Sequence, residues 1–387
     1  MEKGERERNR RRFYRWTGAV LAVLLAVCSL WRLFVPVSDY SEVENRNLQS
    51  RPAVSLSRIA SGRYARQYES YVEDQFPLRT QWLQMKSLLE RLLGRTESNG
   101  IFLADQGYLI QDFTPPEPER YDAQIAALRA FSTAHGDLHQ YLLIAPTAVE
   151  IYQDKLPLLA DPGNQASYLD RLAADAAELG ITFVDVREAF QAAEETQLYY
   201  KTDHHWTTDA AYLAYRQFAA GAGLGEAAVS YDRLVVTDRF SGTMAASSGF
   251  RMAEQERIYV YLPTEGEVDY TVSYVSEAQL SPSFYQTEQL EGRDKYAVFF
   301  GGNHPLVKIS TSAGSGRVLL LLKDSYANCF VPFLAGHYDR ILMVDPRYYY
   351  DSLEELIAAE GVTDVLFLYN ANGFAADTAL PTVLGRE

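Results

Sequence analysis

The sequence predicts an α/β fold on a parallel sheet, interrupted by a β-rich insertion and carried behind one N-terminal membrane-spanning helix. Three observations lead there. From Asn99 onward, short aliphatic runs alternate with stretches whose apolar residues recur every three or four positions. That is the pattern of parallel strands joined by crossover helices. Residues 318–322 form an unbroken aliphatic run, as expected of a strand covered on both faces. Near the N-terminus, residues 17–37 are apolar but for Ser29 and Arg32 and follow Arg10, Arg11, Arg12 and Arg15.

The elements follow in order. Residues 1–16 are a basic tail with seven Lys or Arg and three Asp or Glu, expected to stay in the cytoplasm. Residues 17–37 have the roughly 20-residue length that crosses a bilayer, and Arg32 can snorkel to the interface. No small-x-small cleavage site follows the apolar core, and Leu25-Ala26-Val27-Cys28 matches a lipoprotein box only in part. A retained anchor is therefore expected over a cleaved signal or a lipid anchor, which puts the body outside the cytoplasm. Residues 38–95 read as a linker and helical strap. Within it, Trp82, Met85, Leu89, Leu92 and Leu93 make one stripe of a helix over 79–93 that Gly94 ends.

The main domain is expected over residues 96–387. A helix over 122–133, a strand at 141–145 ending at Pro146, a helix over 168–179 closed by Gly180 and a strand at 181–186 form its first units. Residues 228–312 read as a β-rich insertion or an antiparallel flank, with strands at 258–262, 268–275, 296–300 and 306–310 between Gly, Pro and charged turns. The alternation then resumes with strands at 318–322, 341–344 and 365–368. Between the last two, Ser352 and Glu355 form a capping box for a helix that Gly361 stops.

Composition narrows the function classes. Beyond residue 16 the chain carries a net charge of −19, which argues against nucleic acid as a partner. The 27 tyrosines suit surfaces that handle sugars without being diagnostic of them. The two cysteines, Cys28 and Cys329, suggest no disulfide framework.

The chemistry concentrates in Asp203-His204-His205-Trp206 and Lys323-Asp324-Ser325-Tyr326. In an extended segment, residues two apart share a face, so Asp203 and His205 are expected to point together and His204 away. Thr207 is a fitting N-cap for a helix over 208–220. Ser325 follows a strand and precedes a helix, where ligands of open α/β sheets gather. Carboxylate, imidazole and hydroxyl are the set that acyl transfer through serine needs. Asp203, His204, His205 and His304 are also competent zinc ligands. Adjacent histidines on an extended chain diverge, however, so no metal and no cofactor is expected.

With Tyr199-Tyr200-Lys201-Thr202 ahead of it, Asp203-His204-His205-Trp206 resembles the signature of the DHHW family of bacterial cell-envelope proteins. That family is similar to the SGNH-hydrolase-like alginate O-acetyltransferases. Further landmarks run from Ser41-Glu42-Val43-Glu44-Asn45-Arg46 and Asp74-Gln75-Phe76-Pro77-Leu78-Arg79 through Asn99-Gly100-Ile101, Ile151-Tyr152 and Lys155-Leu156-Pro157. Gly301-Gly302-Asn303-His304-Pro305 and Asp324-Ser325-Tyr326 complete them, so that the resemblance covers roughly residues 38–372. It implies an SGNH-hydrolase-like domain and a membrane-anchored O-acetyltransferase with Ser325, His205 and Asp203 as its catalytic triad. It further implies a polysaccharide acceptor and a polytopic membrane acyltransferase as the acetyl supplier. The Asp-x-His pair precedes the Ser here, so the arrangement is permuted relative to common SGNH enzymes, and Lys323 stands where those have Gly. Asn303 and Tyr326 are the candidate oxyanion or substrate-binding residues, with Asn370 and Asn372 as alternatives to Asn303. The competing functions are a carbohydrate acetylesterase with the same triad and a non-catalytic polysaccharide-binding scaffold.

Overall fold

A computed structural model describes residues 2–31, 37–41, 46–193, 195–225, 229–250 and 255–385. Of the expected landmarks, Glu42 to Asn45 lie outside the described residues. The chain forms two units, residues 1–89 and 90–387.

The first unit opens with a helix over Glu2–Trp31. Its apolar part, Thr17 to Trp31, rises about 22 Å, short of the roughly 30 Å hydrocarbon layer. Residues 32–36 of the expected span lie outside the described residues. Among the described residues, no helix is long and apolar enough to cross a membrane. The expected linker and strap is largely helical, over Leu56–Ala60, Arg63–Asp74 and the start of Arg79–Leu92. Asp74 accepts the Gln49 backbone N–H at 2.7 Å, and the Gln75 side chain exchanges two hydrogen bonds with the Ser38 backbone.

In the second unit, eight strands make one central sheet. They are β1 His139–Ala145, β2 Thr182–Phe183, β3 Tyr270–Tyr274, β4 Gln279–Ser281, β5 Leu306–Thr311, β6 Val318–Lys323, β7 Arg340–Val344 and β8 Asp364–Asn370. Their order across the sheet is β4-β3-β5-β7-β6-β8-β1-β2. The five strands from β7 to β2 run parallel, with Leu320 opposite Leu342 on one side and Val365 on the other. Strands β3, β4 and β5 are antiparallel to their neighbours. The sheet is therefore mixed rather than purely parallel, and part of the β-rich segment is its antiparallel flank instead of an insertion. The reason lies in connection length: only residues 275–278 link β3 to β4, and a link that short can join only antiparallel neighbours. Helices Pro118–Ala134, Gln165–Glu178, Thr208–Gly221 and Leu353–Glu360 send Leu128, Leu172, Phe218 and Leu353 into the main core, where β6 is wholly buried.

The β-rich segment divides three ways. Ser230–Phe240 and Glu256–Glu265 pair with each other as a separate antiparallel ribbon. Residues 268–275 and 306–310 supply β3 and β5 of the central sheet. Residues 296–300, expected as a strand, are instead a 3-10 turn at Lys295–Val298 that leads into Phe300 at φ +61° and Gly301 at φ +75°. The left-handed backbone of Phe300 and Gly301 breaks the extension that a strand needs. The expected strand 181–186 shrinks to Thr182–Phe183, because the Asp185 carboxylate accepts the Arg187 N–H and starts a helix there. Ser352 caps its helix by accepting the Glu355 N–H at 3.2 Å, as the capping pattern predicts.

Candidate active site

Residues 201–205 form a succession of bends rather than an extended strand. The Asp203 carboxylate closes the loop: Oδ1 accepts the His205 N–H at 3.0 Å and the His205 ring Nδ1–H at 2.6 Å. The sequence therefore places Asp203 and His205 together correctly, but misplaces His204. In the bent loop its ring lies 4.0 Å from that of His205. Both histidine rings and the carboxylate offer ligand atoms within 4.8 Å of one another. His304 is elsewhere, bonded to Glu277 and the Phe300 carbonyl. A metal on this cluster would have to displace the hydrogen bonds that occupy both ring nitrogens of His205.

The second His205 nitrogen, Nε2, accepts from the Ser325 hydroxyl at 2.7 Å. Ser325, His205 and Asp203 thus stand in one hydrogen-bonded line, although Ser325 is 120 residues from His205 in the chain. Two reciprocal bonds between the motifs hold that line. The Trp206 indole N–H donates to the Tyr326 carbonyl at 3.0 Å, and the Tyr326 hydroxyl donates to the His204 carbonyl at 2.5 Å. Both rings are fully buried.

Asp203 is 3 % exposed and its second oxygen accepts from the Thr243 N–H at 2.9 Å and the Thr243 hydroxyl at 3.1 Å. Burial by itself would raise this carboxyl. The neighbouring His204 and His205 charges and the four hydrogen bonds outweigh it and hold the group well below the usual carboxylate range. Burial, with the charge of His205 added, pushes His204 down to about 4. The Tyr296 ring stacks on the His205 imidazole at 3.8 Å and 15°. Sequence reasoning missed Tyr296, because the residue was assigned to a strand and no local signal marks the 3-10 turn that aims it.

Gly242 lies hard against this loop. A Cβ there would sit 2.2 Å from the Asp203 Cβ and 2.6 Å from its Cα, and backbone cannot give way as a flexible side chain can. Gly242→Ala is expected to push Thr243 off the carboxylate. The outcome is at least a tenfold loss of kcat and roughly 1–3 kcal/mol of stability, measured by ester turnover and thermal melts.

The oxyanion candidates fare unevenly. Tyr326 does not serve as expected: its hydroxyl is committed to His204 and its N–H to Asp324 Oδ1 at 2.8 Å. It locks the two motifs instead of facing substrate. Asn370 donates to Asp324 from both its backbone and side chain and caps the helix Ala371–Ala376, while Asn372 bonds the Asp112 carbonyl. Burial pushes the Asp324 carboxyl up to about 6 against those N–H groups. Asn303 is exposed. Its Oδ1 accepts from Lys323 Nζ at 2.9 Å and Asn328 Nδ2 at 3.3 Å. Among the described residues it makes no hydrogen bond to Ser325. Lys323, in place of the usual glycine, is 2 % exposed and supports this loop from below, its ammonium pushed down to about 8 by burial.

Several expected landmarks buttress the site. Asn99 at φ +53° and Gly100 at φ +72° make the tight turn of a hairpin. Asn99 also bonds the Ser247 carbonyl, just beyond Thr243. The Tyr152 hydroxyl accepts the Leu198 N–H at 2.9 Å ahead of the bent loop.

Fold and geometry together define a mixed-sheet α/β protein with a serine, a histidine and a buried aspartate aligned beyond the carboxyl ends of parallel strands. Residues 101–256 match the family of SGNH hydrolase-like domains, acetyltransferase AlgX. The fold is similar to that of a DHHW family protein from Eubacterium siraeum, with a TM-score of 0.62 and 24 % identity over 74 % of this chain and 95 % of that one. It is also similar to Bacillus cereus PatB1, with a TM-score of 0.59 and 21 % identity over 72 % of this chain and 97 % of that one. PatB1 with a sulfonyl adduct gives a TM-score of 0.56 at 20 % identity over 72 % of this chain and 98 % of that one. No curated protein matches the sequence. Residues 101–256 thus resemble an SGNH hydrolase-like domain, and the resemblance to the DHHW family extends from motif to fold.

Proposed function

We propose that this protein is an O-acetyltransferase that modifies a cell-envelope or exported polysaccharide through an acetyl-enzyme on Ser325. The observation that carries the reading is the 2.7 Å hydrogen bond from the Ser325 hydroxyl to His205, with Asp203 behind the ring at 2.6 Å. In this reading His205 takes the serine proton as Oγ attacks the acetyl carbonyl of the donor. The tetrahedral oxyanion collapses, the donor leaves with the proton held by His205, and the acetyl group stays on Ser325 as an ester. A sugar hydroxyl then attacks that ester while giving its proton to His205, which returns it to Ser325. Asp203 fixes the Nδ1–H tautomer throughout and stabilises the charged imidazole. Asn303 Nδ2 is our candidate for a donor to the oxyanion, since its Oδ1 is held by Lys323. The chemistry calls for no cofactor.

The basic tail and the apolar stretch behind it support an N-terminal tether at the cell membrane, with the domain outside the cytoplasm. There a polytopic membrane acyltransferase would supply the acetyl group.

The test is acetyl transfer from p-nitrophenyl acetate to a panel of oligosaccharides, followed by mass spectrometry of enzyme and product. Acetylated Ser325 and acetylated sugar are expected. Acetate without acetylated sugar would make the protein an esterase, and no turnover at all would make it a scaffold.

A further inference from the structure

The ribbon Ser230–Phe240 and Glu256–Glu265 reaches the site from both of its strands. Phe240 is paired with Glu256 at one end of the ribbon, and Ser230 with Glu265 at the other, about 30 Å away for a strand of this length. Just beyond Phe240, Gly242 and Thr243 close on Asp203. The other strand begins at Glu256, a carboxylate only 7 % exposed. Its Oε1 accepts from the Thr202 N–H at 2.8 Å and the Thr202 hydroxyl at 2.7 Å. Its Oε2 accepts from the Lys201 N–H at 2.5 Å and the Gln197 side-chain amide at 3.1 Å. The Thr202 hydroxyl oxygen in turn accepts the Gly242 N–H at 2.9 Å, and the Thr202 carbonyl accepts from Met244 at 3.1 Å.

We propose that Glu256 is a positioning residue for the acyl-transfer reaction, holding the backbone of Lys201 and Thr202 so that Asp203 stays in register behind His205. The inference rests on the acyl-transfer reading and adds to it a residue that touches neither substrate nor the three reacting groups. Four donors converge on the carboxylate, and only the ionised form, which has acceptors alone, satisfies all of them. One side chain thereby ties together residues 54 apart in sequence and links the closed end of the ribbon to the loop that carries Asp203 and His205. The bent loop has no strand ladder of its own to hold it. Among the described residues its one strand-type pairing is the isolated bridge between Tyr199 and Trp206; the Leu109 N–H on the Lys201 carbonyl at 2.7 Å adds a backbone contact, and the side-chain acceptors supply the rest of its support.

Glu256→Gln is nearly isosteric but points an amide N–H₂ at donors whichever way it turns. In the full chain we expect kcat on p-nitrophenyl acetate to fall about a hundredfold while KM stays within about twofold. We also expect the low-field proton resonance of the His205–Asp203 hydrogen bond to be lost or shifted in the variant, and to persist in Ser325→Ala. A folded Glu256→Gln protein that keeps both wild-type kcat and that resonance overturns the proposal. So does a variant whose only change is a lower Tm, with turnover unaltered well below it. Wild-type turnover in Ser325→Ala would defeat the acyl-transfer reading separately, and the proton resonance would still decide whether Glu256 positions Asp203.

Discussion

Replacing Ser325 by alanine is expected to lower kcat by roughly 10⁴- to 10⁶-fold, and adding His205→Ala to that variant to cost little more. The two side chains act as one unit through the 2.7 Å hydrogen bond: without the hydroxyl the base has nothing to deprotonate, and without the base the hydroxyl is a poor nucleophile. Groups that work jointly give such strongly non-additive losses. Burst kinetics with p-nitrophenyl acetate check it directly, since the wild type should show a burst equal to the enzyme concentration and each variant none. The alanine proteins should fold normally. Ser325 is half-buried at the end of β6, and the turn beyond it is held by Asp324 through the Tyr326 and Asn370 N–H groups, none of which the substitution removes. Nearly additive losses in the double variant would mean that the two residues do not share a proton.

The second large effect is expected from Asp203→Asn, roughly 10⁴-fold in kcat. Each carboxylate oxygen accepts two hydrogen bonds, one oxygen from His205 N and Nδ1, the other from Thr243 N and Oγ1. Whichever way the new amide turns, its N–H₂ faces donors. On the His205 side that would force the imidazole into the wrong tautomer; on the Thr243 side it would loosen the ribbon. The carboxylate also predicts a pH profile. Its folded pKa is depressed, so its contribution to stability and orientation is present above the unfolded value of about 3.9 and disappears only as pH falls through the lowered one. An acid limb of kcat/KM at higher pH must then come from another group. An acid limb that shifts upward in Thr243→Val, in step with the loss of the Thr243 hydroxyl, would contradict that assignment to a group other than Asp203.

Much of the site is legible in the sequence. Asp203 and His205 are two residues apart, and Ser325 ends an aliphatic run that only a buried strand suits; both are local facts, set by backbone periodicity and by hydrophobic patterning. The buried strands at 318–322, 341–344 and 365–368 are legible for the same reason, whereas their order across the sheet is not. The orientation of His204 was misread, since the alternation rule holds only where the chain is extended. Asp203 bends the chain by accepting the N–H two residues on, which no propensity announces. Tyr326, a candidate oxyanion or substrate-binding residue by sequence, instead spends its hydroxyl on the His204 carbonyl, 122 positions away.

The sequence by itself therefore determined which residue types stand at strand ends and which share a face with their near neighbours, because those follow from interactions a few residues long. Only the tertiary structure decided that the imidazole would be stacked on Tyr296, that Gly242 would leave room for Asp203, and that Glu256 would gather four donors beneath the loop. Those contacts join segments some 40 to 90 positions apart, and they exist only once the sheet has buried its core and brought the ribbon, the bent loop and the end of β6 to one place.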